Sequence, residues 1–306
     1  MRRERLLITG GSGLLALNWA AFASNRYDVT LALHNRPIDV SFAASVFVDL
    51  EDTEVVSGLI VEHQADVLVN CAAMANVEAC EADPDAARAA NTCLPLVLSS
   101  ACKRAGVSFV QISTDHLSSG DAPFNRETDP IEPQNEYAKT KAEGEQAVLE
   151  SNADAIIVRT NFFGWGTEYR QSFSDWILSS LVAGKDIDLF GDVFFSPTYM
   201  RHVFEIAQTL LDNKESGLIN CCGRDRMSKY EFGLNLASAM GYDSAKINSV
   251  RLSDRSDLVS RPFDMSLSVE KVTELLGSPV PSAQDGIFAM MSDAELPTIK
   301  ELRRLT

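Results

Sequence analysis

No apolar run in the 306-residue sequence approaches the roughly 20 residues that a membrane-spanning helix needs, so no span is expected. The opening basic residues lead through only a short apolar run straight into a strand, which argues against a signal peptide. Positive charge is scarce. The 27 Lys and Arg stand against 43 Asp and Glu, a formal charge of -16, so neither nucleic acid nor an anionic membrane surface is an expected partner. The six cysteines, at 71, 80, 93, 102, 221 and 222, form no C-x-x-C pair and have no matching histidine spacing. No metal site follows from them. They read as small apolar residues in a reducing compartment, and a cytoplasmic protein is expected. Repeats, low-complexity tracts and an evident linker are also missing, which suggests two lobes sharing a cleft.

What is present is strand and helix in alternation. Arg5 to Thr9 is a short apolar strand, and Gly10, Gly13 and Ala16 follow in the spacing G-x-x-G-x-x-A at the start of an apolar helix. Glycines allow the tight turn and the close approach of a pyrophosphate, and the helix N-terminus offers free N–H groups and partial positive charge. Gly10, Ser12, Gly13 and Leu14 are therefore candidate cofactor contacts; the alternative is a glycine turn without ligand. A second strand, YDVTLALH, runs into Asn35 and Arg36. About 20 residues after such glycines a carboxylate would bond the ribose of NAD. None stands here, whereas Arg36 could pair with a 2′-phosphate, so NADP is preferred over NAD unless Arg36 is simply solvated. SVFVDL is a third strand ending in Asp49 and Leu50, with Asp49 either an adenine contact or the cap of a helix over EDTEVVSGLIVEH. DVLVNCA is a fourth strand, carrying Cys71, Ala72 and Ala73 at and beyond its end. The stretch after it predicts one long helix with Pro84 near its start and Gly106 just past its end. This pattern predicts an α/β fold with a doubly wound parallel sheet.

The chain is organised around Gln111 to Lys141. The strand VSFVQIS ends at Thr114 and Asp115, a polar loop follows, and a helix then carries Tyr137 and Lys141 four residues apart on one face. A hydroxyl at a strand's carboxyl end beside a Tyr-x-x-x-Lys pair can transfer a proton. Free tyrosine has a pKa of about 10, and an adjacent ammonium is expected to lower it toward the working range. Glycine turn and Thr114 both lie at carboxyl ends of strands, where ligands bind in such sheets. Beyond a sixth strand, DAIIVRT, residues 161–306 are expected to form mainly a smaller lobe over the cofactor, with parts returning to the sheet of residues 1–160.

The blocks TGGSGLLA, NCAAMANVEACE, STDHLSSGDAPFNRETDPIEPQNEYAKTKAEGE, RTNFFGWG, SPTYMRHVFEIA and RPFDMSL, taken with Asn91, resemble the successive blocks of an extended short-chain dehydrogenase/reductase. The nearest subfamily is dTDP-4-dehydrorhamnose reductase and its sugar-nucleotide-binding relatives. The resemblance implies a Rossmann fold, NAD(P)-dependent reduction of a keto group on a nucleotide-linked sugar, and commonly a homodimer. By family role Tyr137 would protonate the carbonyl oxygen, Lys141 would hold the nicotinamide ribose, and Thr114 would bond the reacting oxygen. Asn91 would support the site through backbone and water contacts.

The sequence departs from that family where a substrate is read. The family's S-T-D-Y-V-F-D-G is S-T-D-H-L-S-S-G here, so His116 replaces an aromatic residue and Ser119 an acid, and RTNFFG is about one residue short. Asp115, His116 and Asn161 are candidate substrate contacts, with His116 also open as a titrating group or a plain loop residue. Arg261 is a candidate for a nucleotide phosphate, or else a surface charge. Three functions compete: a nucleotide-4-keto-6-deoxy-sugar reductase, an epimerase of the same superfamily, and a non-catalytic NADP-binding regulatory subunit. A dehydratase is disfavoured because its extra acid, Thr-Asp-Glu, is replaced by His116.

Overall fold

A computed structural model describes residues 2–50 and 53–306, and seven parallel strands form its frame. Six come early: β1 (Glu4–Thr9), β2 (Tyr27–Leu33), β3 (Ala44–Phe47), β4 (Val67–Asn70), β5 (Ser108–Ile112) and β6 (Ile156–Arg159). The seventh, β7 (Gly217–Asn220), comes from the second half and pairs with β6, Ile219 opposite Val158. The order is β3-β2-β1-β4-β5-β6-β7, so the direction of winding reverses between β1 and β4. All four residues of β4 and of β6 are buried, as strands covered by helices on both faces must be. At the edge, β3 is short and largely exposed.

Helices α1 (Leu14–Ala23) and α2 (Thr53–Glu62) follow β1 and β3. Glu51 and Asp52, where the second of these was expected to begin, lie outside the described residues. The single long helix expected after β4 is not one helix. It is α3 (Val77–Ala82), α4 (Pro84–Arg88), a π-helical turn at Ala89–Cys93, and α5 (Leu94–Ala105). The break at Asp83 has a direct cause. A residue before proline is driven out of the helical region, and Asp83 sits at φ -139, ψ 81, capping the Ala86 N–H with its side chain. Gly106 does close α5, at φ 69, a left-handed conformation that glycine adopts without strain.

Helix α6 (Glu136–Ser151) starts at Asn135, whose side chain accepts from the Ala138 N–H. After β6 come α7 (Phe173–Val182), α8 (Met200–Asp212), α9 (Lys229–Ala239), α10 (Glu270–Leu276), α11 (Ala283–Asp293) and α12 (Pro297–Arg303). Ser172 and Ser228 open α7 and α9 with full capping boxes. Two apolar cores result. The first joins α1 and α8 to one face of the sheet through Trp19, Leu31, Val203 and Leu210. The second lies in the later half, where Phe163, Phe195, Tyr199 and Phe232 pack between α7, α9 and α11. Each such fully buried aromatic contributes about 2–3 kcal/mol by leaving water. Among the described residues, no helix is long and apolar enough to cross a membrane.

Candidate active site

The carboxyl ends of β1, β4 and β5 are tied together by polar side chains. The Thr9 hydroxyl donates to Asn70 Oδ1 at 2.5 Å, and Asn70 Nδ2 donates to Gln111 Oε1 at 2.8 Å. The glycine turn rises from this row. Gly10 has φ 67, and a Cβ on it would lie 2.7 Å from the Ala72 nitrogen, so no larger residue fits where the turn crosses the end of β4. The Gly13 N–H donates to the Gly10 carbonyl at 2.8 Å, and Gly13 opens α1 with no side chain capping the helix. The first N–H groups of α1 are thus left for a ligand, and the small, open turn fits a dinucleotide pyrophosphate. Behind the turn Ala16 is fully buried, letting α1 lie close on the sheet.

A cleft of about 270 Å³ runs from this turn to the end of β5. Of the candidates named from the sequence it gathers Gly13, Leu14, Cys71, Ala73, Thr114, Asp115, His116, Tyr137, Lys141 and Asn161. Burial pushes the Tyr137 hydroxyl up to about 12, against the downward pull of a hydrogen bond with Thr114. The lowering of the tyrosine expected from Lys141 is not seen: desolvation raises it, and the group that opposes the rise is Thr114. Lys141 turns instead to β5, its Nζ donating to the Ile112 carbonyl at 2.7 Å. Burial brings its pKa down to about 8, while Glu145 one turn along α6 favours its charged form.

On the far wall, Asn161 Nδ2 donates to Asp115 Oδ2 at 2.7 Å. The His116 ring stands edge-on to Tyr137 with centroids 5.6 Å apart, and its Nε2 lies 3.9 Å from Asp115 Oδ1. Burial lowers the histidine's pKa, against the pull of Asp115. Two buried polar atoms in this wall, His116 Nδ1 and Thr160 Oγ1, have no hydrogen-bond partner. Such groups are costly unless something else satisfies them.

The remaining candidates lie off the cleft. Gly10, Ser12 and Ala72 shape the turn from behind. Asn35 and Arg36 are exposed beyond β2, Arg36 stacking on the Tyr169 ring at 4.1 Å. Beyond β3, Asp49 is exposed and Leu50 packs partly on the core. The Asn91 side chain is fully engaged: Oδ1 accepts from the Met74 N–H at 2.9 Å, and Nδ2 donates to the Met74 carbonyl and to Thr140 Oγ1. It fastens the end of β4 to α6. Arg261 is not a free cation, being ion-paired with Glu78. Sequence reasoning missed Asn70, Thr160, Arg170, Glu145 and Arg159. A polar residue at the end of each of three neighbouring strands was the signal available for the first.

This site, at the winding switch of a parallel sheet, with a glycine turn facing a Thr-Tyr-Lys set, defines a Rossmann-type dinucleotide-dependent oxidoreductase. The family model described as RmlD substrate binding domain matches residues 4–296. The chain belongs to that family, among the extended short-chain dehydrogenases/reductases of the dTDP-4-dehydrorhamnose reductase group. It is 32% identical over 247 residues to the "Probable low-salt glycan biosynthesis reductase Agl14" of Haloferax volcanii, covering 79% of this chain and 82% of that one. It is 33% identical over 224 residues to dTDP-4-dehydrorhamnose reductase of Mycobacterium tuberculosis, covering 71% and 68%. It is also 30% identical over 259 residues to methionine adenosyltransferase 2 subunit beta of Bos taurus, covering 81% and 75%. Among solved structures, dTDP-4-dehydrorhamnose reductase of Bacillus anthracis in complex with NADP superposes with a TM-score of 0.84. That match covers 95% of this chain and 100% of the other at 23% identity, a likeness of fold.

Proposed function

We propose that the protein reduces the keto group of a nucleotide-linked 4-keto-6-deoxy sugar, with NADPH as preferred cofactor and NADH as the alternative. The observation that carries this reading is the meeting of Thr114, Tyr137 and Lys141 in one cleft with the glycine turn. The nicotinamide, when bound, supplies the hydride. Gly13, Leu14 and the open N-terminus of α1 hold the dinucleotide, and Lys141 orients its ribose. Thr114 donates to the substrate's carbonyl oxygen, and Tyr137 delivers the proton to that oxygen. Burial keeps Tyr137 protonated at neutral pH, so the proton to be delivered is present before the hydride arrives. Asp115, His116, Thr160 and Asn161 face the sugar, whose hydroxyls are of the kind that satisfy the unpartnered His116 Nδ1 and Thr160 Oγ1. Residues 161–306 serve mainly as the substrate lobe, with α8 and β7 packed back on the main sheet. A cytoplasmic homodimer completes the reading; sedimentation would test the dimer.

The experiment is NADPH and NADH oxidation, followed by absorbance, against dTDP- and other nucleotide-4-keto-6-deoxy sugars. Tyr137→Phe should lower kcat by roughly 10²–10⁴-fold while cofactor affinity stays within about twofold. Turnover equal to wild type would sink the role of Tyr137. The likeness to methionine adenosyltransferase 2 subunit beta supports a second reading, a non-catalytic regulatory subunit. Tight dinucleotide binding with no oxidation of any sugar in the panel would favour it, or an epimerase that recycles its cofactor.

A further inference from the structure

The loop from Trp165 to Arg170 comes from the second half of the chain, yet it is fastened to the glycine turn and to α1. The Tyr169 hydroxyl donates to the Ser12 carbonyl at 2.7 Å. Asn18 Nδ2, buried in α1, donates to the Trp165 carbonyl at 2.8 Å. Between these anchors the Thr167 N–H donates to the Arg170 carbonyl, and the Arg170 N–H to Thr167 Oγ1, each at 3.0 Å. The result is a folded loop that sets Arg170, exposed, in the lining of the cleft beside Gly13 and Leu14.

With a formal charge of -16 the protein has carboxylates to spare, and Arg26, Arg159, Arg201, Arg226 and Arg261 each pair with one. Among the described residues, Arg170 has neither a carboxylate nor an aromatic ring as partner, though it lines the cleft. On the other side of the same anchor, Arg36 lies over the Tyr169 ring at 4.1 Å. Both guanidiniums act electrostatically on the Tyr169 hydroxyl, opposing the rise that burial causes. Two arginines from opposite halves of the chain thus flank one tyrosine at the mouth of an anion-binding turn.

We propose that Tyr169, Arg170 and Arg36 form a two-pronged phosphate clip. Arg170 takes the pyrophosphate common to both nicotinamide dinucleotides, and Tyr169 sets it beside Arg36, already read from the sequence as the contact for the 2′-phosphate that NADP alone carries. Tyr169 locks the clip to the turn. The planar guanidinium fork matches phosphate oxygens in pairs, and α1 adds its free N–H groups from below. The clip rests on the cofactor reading given above, and it places part of the cofactor site in the half of the chain otherwise assigned to substrate.

The test is fluorescence titration of the full chain with NADPH and with NADH, which needs no sugar substrate. Arg170→Ala should weaken both dinucleotides alike, by about tenfold, the loss of one charge-assisted contact. Arg36→Ala should weaken NADPH by about tenfold and NADH by less than about twofold. Tyr169→Phe keeps the ring under Arg36 but breaks the bond to Ser12, and should weaken both cofactors about threefold. Arg170→Lys keeps the charge without the fork and should fall between wild type and Arg170→Ala. Unchanged affinities for Arg170→Ala would overturn the clip alone. A loss confined to NADPH would overturn the assignment of Arg170 to the pyrophosphate. Wild-type protein that binds neither dinucleotide would overturn the clip together with the cofactor reading beneath it.

Discussion

Two charged residues one turn apart on α6 are buried to the same degree and treated in opposite ways. Glu145, 2% exposed, is fully compensated. Arg159 at the end of β6 clasps it with two nitrogens at 2.7 to 3.2 Å, and the Ser113 hydroxyl donates to it at 2.6 Å. Lys141, 4% exposed, has a carbonyl as its bonded partner and faces Glu145 across one helical turn. Its pKa near 8 is the mark of that incomplete compensation. The lower charge holds α6 against β5 and β6. The upper one keeps donor capacity unused, which is what a residue reserved for a ligand requires. A saturated charge makes structure, and an unsaturated one beside a cleft is available for function.

The contrast can be broken first at Glu145. Glu145→Ala leaves Arg159 buried without its partner and should cost roughly 3–5 kcal/mol in chemical denaturation, whereas replacing both residues by methionine should be close to neutral. A loss below about 1 kcal/mol for the single change would show that water reaches the pair. Gly144, between the two charges, comes next. A Cβ there would sit 2.1 Å from the Asn91 carbonyl, which the π-helical turn directs at α6. Gly144→Ala should therefore force the helices apart and cost roughly 1–3 kcal/mol. Full stability in that variant would mean that the turn can relax to ordinary helix.

Lys141→Met is the smallest in stability and the most informative. It should gain about 1–2 kcal/mol at pH 7, since a poorly compensated buried charge is removed at the cost of one hydrogen bond, while turnover is lost. The sign follows from proton binding. Below about pH 8 the lysine is charged both folded and unfolded, and the full penalty applies. Between about 8 and the ordinary lysine value of 10.5 the unfolded chain binds the extra proton, so wild-type stability rises with pH. Denaturation curves across that window should show the rise in wild type and its loss in Lys141→Met. Turnover should fall as pH rises through the same region, because the ammonium is lost while Tyr137 keeps its proton.

Local sequence was a good guide wherever neighbouring residues make the feature. The turn after β1, the caps at Ser228 and Gly106, and the shared face of Tyr137 and Lys141 all depend on contacts within a few residues. It misled where proline acts against helical periodicity, as at Asp83, and where a charge finds a distant partner, as Arg261 does with Glu78. Arg36 could be singled out from its place after the second strand, but its stacking on Tyr169, 133 positions away, is invisible to spacing. Arg170 carried no local signal at all, sitting in a stretch that reads only as a break after the sixth strand.

The sequence by itself determined the parallel sheet, the glycine turn and the shared face of Tyr137 and Lys141, because periodicity, turn chemistry and helical spacing are short-range physics. Tertiary structure alone decided how far each group is desolvated. Burial sets Tyr137 near 12 and Lys141 near 8, and it leaves His116 and Thr160 with atoms to satisfy. It also decided which cations are spent on carboxylates and which face the cleft. Those outcomes depend on segments that meet only in the folded chain, where no local rule reaches.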